Sequence, residues 1–189
     1  MSEARKRRRA VFLDRYGTIA DETGYVNHIE RFNVFPFAAA AIRRLNEAGL
    51  AVVVVTNQSG VAHELFPAEL VHRVHEKMIA QLASGGARVD AIYFCPHKTE
   101  DDCECRKPNP GMLHRAAQEH DLDLAKSWVV GDRFADLEMG RPVGCRGILV
   151  LTGYGRGEYE WSRSRWPGLP DLLAEDLTEA VGVILKEPV

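Results

Sequence analysis

The stretch Val11-Phe12-Leu13-Asp14-Arg15-Tyr16-Gly17-Thr18 is an apolar run that ends in a carboxylate, a glycine turn and a hydroxyl. In open parallel sheets, ligands bind where the strands reach their carboxyl ends. The pattern therefore predicts a buried strand over residues 10–14 that presents Asp14 to a ligand. We expect the functional site to be built around this carboxylate.

Apolar runs typical of buried strands alternate with helical periodicity along the rest of the chain. Strands are predicted at residues 50–55, 89–94, 128–130 and 147–151, and helices at residues 37–48, 67–82, 111–120, 135–141 and 171–185. Residues 19–36 have no clear periodicity and are interpreted as a loop or a small flap over the first strand. Alternating strands and helices favour a parallel sheet covered on both faces. The predicted fold class is α/β, with a three-layer, Rossmann-like parallel sheet.

Length and composition favour one globular domain. The chain has 189 residues, 46% of them hydrophobic, and a formal net charge of -3. We expect a basic tail at residues 1–9 and a single domain at 10–189, with a C-terminal extension at 156–189. The charge gives no case for nucleic acid as a partner, and no apolar run approaches the ~20 residues that span a bilayer. No apolar signal segment follows the cations of the tail, so we expect a cytoplasmic monomer or small homo-oligomer.

A cluster of soft ligands lies in the second half of the chain. Cys95, His97, Cys103 and Cys105 fall within eleven residues, whereas Cys145, the fourth cysteine, stands alone. Without an export signal, such a cluster indicates a metal site rather than disulfides. Four cysteine and histidine ligands complete a tetrahedral zinc site and leave no position for a catalytic water. The sequence therefore predicts a structural zinc loop at residues 95–105.

Polar motifs follow the predicted strands at four places. They are Asp14-Arg15-Tyr16-Gly17-Thr18, Thr56-Asn57-Gln58-Ser59, Arg106-Lys107-Pro108 and Gly131-Asp132-Arg133-Phe134-Ala135-Asp136. Together they supply a carboxylate nucleophile, hydroxyl and amide donors, a cation and a second carboxylate. This set suits phosphoryl transfer, because charge on the equatorial oxygens needs fixed donors and cations. Asp14 and Asp132 are candidate ligands for Mg²⁺, a hard ion that prefers oxygen.

In order and spacing, the motifs resemble those of the haloacid dehalogenase-like superfamily. Within it the chain is similar to the D-glycero-D-manno-heptose 1,7-bisphosphate 7-phosphatases and the histidinol-phosphate phosphatases. The resemblance spans residues 11–155 and includes Gly24-Tyr25-Val26, Cys95-Pro96-His97, the segment 103–112 and the segment 151–155. It implies the fold of that superfamily without a large cap domain. It also implies a Mg-dependent phosphatase of carbohydrate metabolism whose substrate is a sugar phosphate, with the heptose bisphosphate favoured.

The resemblance also implies roles for individual residues. Asp14 would attack phosphorus and form an aspartyl-phosphate, and Lys107 would neutralise charge. Tyr16 and Thr56 complete the catalytic set. Mg²⁺ would be held by Asp14, the backbone of Tyr16, Asp132 and the backbone of Arg133, with Asp136 in support. Substrate would be bound by Glu22, Thr23, Gly24, Tyr25, Thr56, Asn57, Gln58, Ser59, Arg106 and Lys107.

Tyr16 departs from the pattern of these phosphatases. They normally carry a second aspartate here, which protonates the leaving group and later takes a proton from water. A phenol with a reference pKa of about 10 is a poor base, and loss of such a group costs roughly 10²–10⁴ in rate. His63, near the second motif, is another candidate proton donor.

Several alternatives stay open because of Tyr16. One is a weak or non-catalytic phospho-sugar binder, and another is a histidinol-phosphate phosphatase. A third is halide displacement, since the Asp-x-Tyr-Gly-Thr form resembles the L-2-haloacid dehalogenases. A substitution introduced into a parental chain with aspartate at position 16 would also give this sequence.

Overall fold

A parallel six-stranded sheet forms the centre of the computed structural model, which describes residues 7–187. The strands are β1 (Ala10–Leu13), β2 (Ala51–Asn57), β3 (Ala91–Cys95), β4 (Trp128–Gly131), β5 (Arg146–Val150) and β6 (Leu172–Ala174). Their order is β3-β2-β1-β4-β5-β6, and all neighbouring pairs are parallel. This is the doubly wound order of nucleotide-binding folds. The predicted fold class is confirmed.

Helices cover both faces of the sheet. They are α1 (Ala38–Glu47), α2 (Ala68–Ser84), α3 (Gly111–His120), α4 (Phe134–Gly140), α5 (Gly155–Ser162) and α6 (Leu177–Ile184). Successive strand residues point to opposite faces, so β1 contributes Val11 and Leu13 to the core under α1, α2 and α6. Phe12 belongs to the other core, under α3 and α4. Burial on both faces explains why the central strands are continuous apolar runs.

The C-terminal segment corrects one prediction. The helix expected at residues 171–185 is wrong in its first part, because Leu172–Ala174 add a sixth strand beside β5. The helix begins only at Leu177, after Asp176, whose side chain accepts hydrogen bonds from the N–H groups of Thr178 and Glu179 at 2.7 and 3.0 Å. Such an N-cap satisfies backbone donors that the first turn of a helix leaves free. Part of the predicted extension therefore completes the sheet.

The ends of the chain are only partly described. Of the predicted basic tail, residues 1–6 lie outside the described residues. Arg8 hydrogen-bonds Asp90 and the backbone carbonyls of Gly49 and Leu50, so this end of the described chain packs beside β2. Within residues 7–187, no helix has both the length and the apolar character needed to cross a membrane.

The strand order reverses between β1 and β4, and the site lies at this point. From β1 the chain proceeds to β2 and β3 on one side, and from β4 to β5 and β6 on the other. Crevices that bind ligands open outside the carboxyl ends of the strands at such a switch point. Asp14 directly follows β1, and Asp132 directly follows β4. The topology thus brings together two carboxylates that are more than a hundred residues apart in the chain.

Candidate active site

A buried ion pair joins Asp14 to Lys107. The Nζ of Lys107 lies 2.5 Å from Oδ1 of Asp14 and 2.6 Å from Oδ1 of Asp136, and it donates to the carbonyl of Val55 at 3.2 Å. Only 8% of Asp14 and 7% of Lys107 is exposed. Three oxygens therefore fix the ammonium beside the carboxylate predicted to be the nucleophile.

Three carboxylates crowd the floor of the site. Asp14, Asp132 and Asp136 each offer an oxygen within 4.8 Å of the others. Burial raises the pKa of Asp14 to about 6 despite the opposing charge of Lys107. Burial and repulsion by Asp14 and Asp136 raise the pKa of Asp132 to about 8. Burial alone would lower the pKa of Lys107, but the two neighbouring carboxylates have the larger combined effect and raise this pKa. One ammonium does not balance three carboxylates, so the set fits an oxygen-preferring divalent cation such as Mg²⁺.

The loops after β1 and β5 close around Asp132. A Cβ on Gly17 or Gly153 would overlap the Asp132 carboxylate, and both glycines have positive φ, 74° and 54°. The backbone N–H of Tyr154 donates to Oδ2 of Asp132 at 2.8 Å, and the hydroxyl of Thr152 donates to the carbonyl of Gly17 at 2.5 Å. Only glycine tolerates both the conformation and the close approach. The carboxylate is therefore held by the backbone on two sides.

The motif after β2 positions Lys107. The side chain of Asn57 accepts from the N–H of Lys107 at 3.1 Å and donates to its carbonyl at 3.2 Å. The Gln58 amide donates to Oγ1 of Thr56 and to the carbonyl of Asn57, both at 2.9 Å. Asn57 lines the cavity as well, and its predicted contact with substrate stays a prediction.

A cavity of about 360 Å³ opens above these residues. It is lined by nearly all the residues predicted for catalysis, substrate and Mg²⁺: Asp14, Tyr16, Glu22, Gly24, Tyr25, Thr56, Asn57, Gln58, Ser59, Arg106, Lys107, Asp132 and Arg133. Thr23 is the exception; it is exposed, and its carbonyl accepts a hydrogen bond from Arg31. The cavity also has lining residues that the sequence interpretation missed: Val26, Phe66, Ala135 and Tyr154.

Two of the less buried residues that line the cavity, called its rim below, are arginines: Arg106 is half-buried and Arg133 is exposed. Arg106 donates from Nη1 to the carbonyl of His97 at 3.0 Å. The guanidinium carbon of Arg133 lies 4.0 Å from the ring centroid of Tyr154, a cation–π geometry. The sequence predicted only a backbone role for Arg133. Tyr154 lies in the segment 151–155 that carried the resemblance, and that segment was the available signal for it.

Tyr16 sits half-buried beside a buried arginine. Its ring packs edge-on against Phe32 at 6.0 Å, and the guanidinium carbon of Arg15 lies 4.3 Å from its centroid. Burial raises the pKa of Tyr16, although Arg15 opposes this effect. Burial also lowers the pKa of Arg15, whose Nε and Nη1 have no hydrogen-bond partner within residues 7–187. The phenol is therefore neutral near pH 7.

The four predicted zinc ligands meet in one cluster. Cys95 lies 3.5 Å from both Nδ1 of His97 and Sγ of Cys103, and Cys105 lies 3.4 Å from the same two atoms. A tetrahedron with metal–ligand bonds of about 2.0–2.3 Å has edges of roughly 3.5–3.8 Å. The cluster therefore fits zinc in both ligand chemistry and spacing.

Comparisons with known protein families agree with this geometry. The polynucleotide kinase 3 phosphatase family matches residues 21–141, and the HAD-hydrolase-like family matches residues 104–180. A Thermosynechococcus vestitus protein named D-glycero-D-manno-heptose-1,7-bisphosphate 7-phosphatase is 43% identical over 185 residues, which cover 92% of this chain and 94% of that protein. A Pseudomonas aeruginosa D-glycero-beta-D-manno-heptose-1,7-bisphosphate 7-phosphatase is 36% identical over 182 residues, covering 95% and 99%.

Solved structures give the same result. The crystal structure of a Bordetella bronchiseptica D,D-heptose 1,7-bisphosphate phosphatase complexed with magnesium and phosphate has a TM-score of 0.86 and 38% identity. The match covers 95% of this chain and 99% of that one. An L-2-haloacid dehalogenase has a TM-score of 0.52 and 18% identity, so that likeness shows a shared fold alone.

Proposed function

This chain belongs to the haloacid dehalogenase-like phosphatases, and we propose that it removes the C7 phosphate of D-glycero-D-manno-heptose 1,7-bisphosphate through an aspartyl-phosphate on Asp14. The observation that carries the proposal is the buried Asp14–Lys107 pair beside Asp132, at the floor of the cavity. A fixed cation next to a carboxylate nucleophile suits attack on an anionic phosphate.

In the first step, a carboxylate oxygen of Asp14 bonds to phosphorus and the bond to the sugar oxygen breaks. Lys107 and the hydroxyl of Thr56 face the same cavity and stabilise the transferring group. Lys107 keeps its place because Asn57 holds its backbone and Asp136 holds its ammonium. In the second step, water attacks phosphorus and Asp14 is released as a carboxylate.

A magnesium ion fits beside Asp14. Its ligands would be the side chains of Asp14 and Asp132, the backbone carbonyl of Tyr16 and, as a further candidate, the backbone of Arg133. Asp136 has a supporting role, because its oxygens already pair with Lys107 and with the N–H of Arg133 at 3.0 Å. When bound, Mg²⁺ supplies the charge that screens repulsion between the carboxylate and the phosphate.

The rim of the cavity supports a substrate with two phosphates. Lys107 is buried beside Asp14, whereas Arg106 and Arg133, which line the same cavity, are half-buried and exposed. Guanidinium groups recognise phosphate through paired hydrogen bonds. One phosphate would be transferred at the floor while the second is held at the rim. Glu22, Gly24, Tyr25 and Ser59 would contact the sugar between them.

We test this function by phosphate release. The heptose 1,7-bisphosphate is compared with histidinol phosphate and a 3′-phosphorylated oligonucleotide, each with Mg²⁺ and with both the native chain and Tyr16→Asp. We expect turnover of the heptose bisphosphate to exceed that of the others at least about tenfold, because only it engages both ends of the cavity. Preference for histidinol phosphate or for the oligonucleotide would contradict the proposed substrate. Saturable binding without turnover in either chain would identify a phospho-sugar binder.

Halide displacement is tested separately with a 2-haloacid and no Mg²⁺. Tyr16 is the residue at the site that favours it, whereas the likeness to the solved dehalogenase is one of fold alone. Halide release would contradict the phosphatase assignment.

We also propose that the cluster of Cys95, His97, Cys103 and Cys105 holds one structural zinc ion. The ion would fix the loop that presents Arg106, because Arg106 donates to the carbonyl of His97. In this role the zinc site stays apart from the proton transfers. For the chain as a whole, the small-molecule substrate is the one proposed partner. The oligomeric state and the cytoplasmic location of the chain stay predictions.

Replacing Cys103 with Ser is expected to remove the zinc and lower the thermal midpoint. At free zinc a hundredfold above its Kd, binding contributes about 2.7 kcal/mol, which corresponds to roughly 5–10 °C for a chain of this length. Elemental analysis and thermal unfolding measure both effects. Cys145→Ser is the matched control, since Cys145 is a buried cysteine outside the cluster. Equal zinc content in the two variants would contradict the site.

A further inference from the structure

Neither Tyr16 nor His63 is a suitable general acid and base for the reaction in this cavity. The leaving sugar oxygen needs a proton in the first step, and the attacking water must lose one in the second. Tyr16 is half-buried against Phe32, and a phenol, with a reference pKa of about 10, is a poor base near pH 7. His63, the other candidate, is exposed and is not among the residues that line the cavity. Some other group must take part if the chain turns over.

Four carboxylates line the cavity, and three of them are committed. Asp14 is paired with Lys107, and so is Asp136. Asp132 accepts the N–H of Tyr154 and belongs to the proposed metal site. Glu22 is the fourth carboxylate, and it lies outside the cluster of metal-binding oxygens.

The segment around Glu22 is held in place by Arg31. Its guanidinium donates to the carbonyls of Thr23 and Tyr25 and to Oδ1 of Asn27, each at 3.1 Å. These bonds fix the backbone that directly follows Glu22, and Gly24 and Tyr25 of this segment line the cavity. Side-chain hydrogen bonds therefore hold this part of the flap, residues 19–36, in one conformation.

The carboxylate of Glu22 is itself oriented. Oε1 accepts the N–H of Gly24 at 2.6 Å, and within residues 7–187 Oε2 accepts no hydrogen bond. The side chain is half-buried and lines the same cavity as Asp14.

We propose that Glu22 is the acid–base residue of this chain, in place of the tyrosine at position 16. The assignment rests on the proposed phosphatase function. As the bond between phosphorus and the sugar oxygen breaks, the carboxylic acid of Glu22 gives its proton to that oxygen. The resulting carboxylate then takes a proton from the water that attacks the aspartyl-phosphate. Phosphate leaves, Asp14 is regenerated, and Glu22 is protonated again.

A double-mutant cycle tests the proposal with four proteins: native, Glu22→Gln, Tyr16→Asp and the double variant. Glutamine keeps an oxygen for the N–H of Gly24 but cannot give or take the proton. We expect Glu22→Gln to lower kcat on the heptose bisphosphate at least about tenfold in the native chain, with KM changed less than about twofold. In the Tyr16→Asp chain it should change kcat less than about twofold, because the new aspartate transfers the proton.

Glu30→Gln is the control, since Glu30 lies on the same flap, is exposed and does not line the cavity. An equal loss in both backgrounds, expressed mainly in KM, would overturn the proposal and leave Glu22 with the role of a sugar ligand alone. An unchanged kcat in the native chain would also overturn it. Absence of turnover in all four proteins would overturn the phosphatase function itself, and the role of Glu22 with it.

Discussion

Replacing Asp14 with Asn is expected to lower phosphate release at least about 10³-fold, because an amide does not form the aspartyl-phosphate. The change keeps the size of the side chain and leaves Lys107 paired with Asp136. The fold should therefore persist, and circular dichroism and thermal unfolding check this. The assay is phosphate release from the heptose bisphosphate with Mg²⁺, in both the native and the Tyr16→Asp chains.

Asp121→Asn is the matched control for this substitution. Asp121 is exposed, and its contact with Arg7 is a surface ion pair. Its φ of 53° is in the left-handed region, which asparagine also adopts. We expect its activity to equal that of the unsubstituted chain. If Asp14→Asn retained more than about a tenth of the rate, Asp14 would not be the nucleophile.

Replacing Tyr16 with Asp is expected to raise kcat about 10²-fold. Burial raises the pKa of Tyr16, so the phenol has no base form near pH 7. An aspartate at this position both gives and accepts a proton, and it lies closer to Asp14 in the chain than Glu22 does. The substitution also places a carboxylate next to the buried guanidinium of Arg15, which has two unpartnered nitrogens within the described residues. Steady-state kinetics on the heptose bisphosphate measures the gain.

Two further substitutions separate chemistry from space at position 16. Tyr16→Phe removes only the hydroxyl and should leave kcat within about threefold, because the account gives the phenol no proton to transfer. Tyr16→Asn removes the tyrosine ring as Tyr16→Asp does, but it supplies no base. It should therefore not reproduce the increase in kcat. A large loss in Tyr16→Phe, together with no gain in Tyr16→Asp, would make the phenol itself the catalytic acid.

The sequence was sufficient to predict the centre of the site. Each motif follows an apolar run, and parallel strands bring their carboxyl ends to one edge. Asp14, Lys107 and Asp132 therefore meet in the structure as the motifs indicated. The cluster of cysteines and histidine was also predictable, since the four residues lie within eleven positions of the chain; its occupation by zinc stays a proposal.

Other features depend on tertiary contacts that no local pattern encodes. β6 has three residues, too few for an alternating pattern to stand out beside the apolar helix that follows. The two hydrogen bonds between Asn57 and Lys107 join residues 50 positions apart, and neither the motif nor the resemblance indicated them. The rim position of Arg133 depends on its packing against Tyr154, which follows the next strand of the sheet.

Trapping the phosphorylated enzyme tests the central claim most directly. The native chain is mixed with the heptose bisphosphate and Mg²⁺, quenched in acid within the first turnover, and digested for peptide mass analysis. The account predicts an added phosphoryl group on the peptide that carries Asp14, and no such group in Asp14→Asn. Phosphate release at the same rate in both proteins, with no phosphoryl group on that peptide, would contradict it.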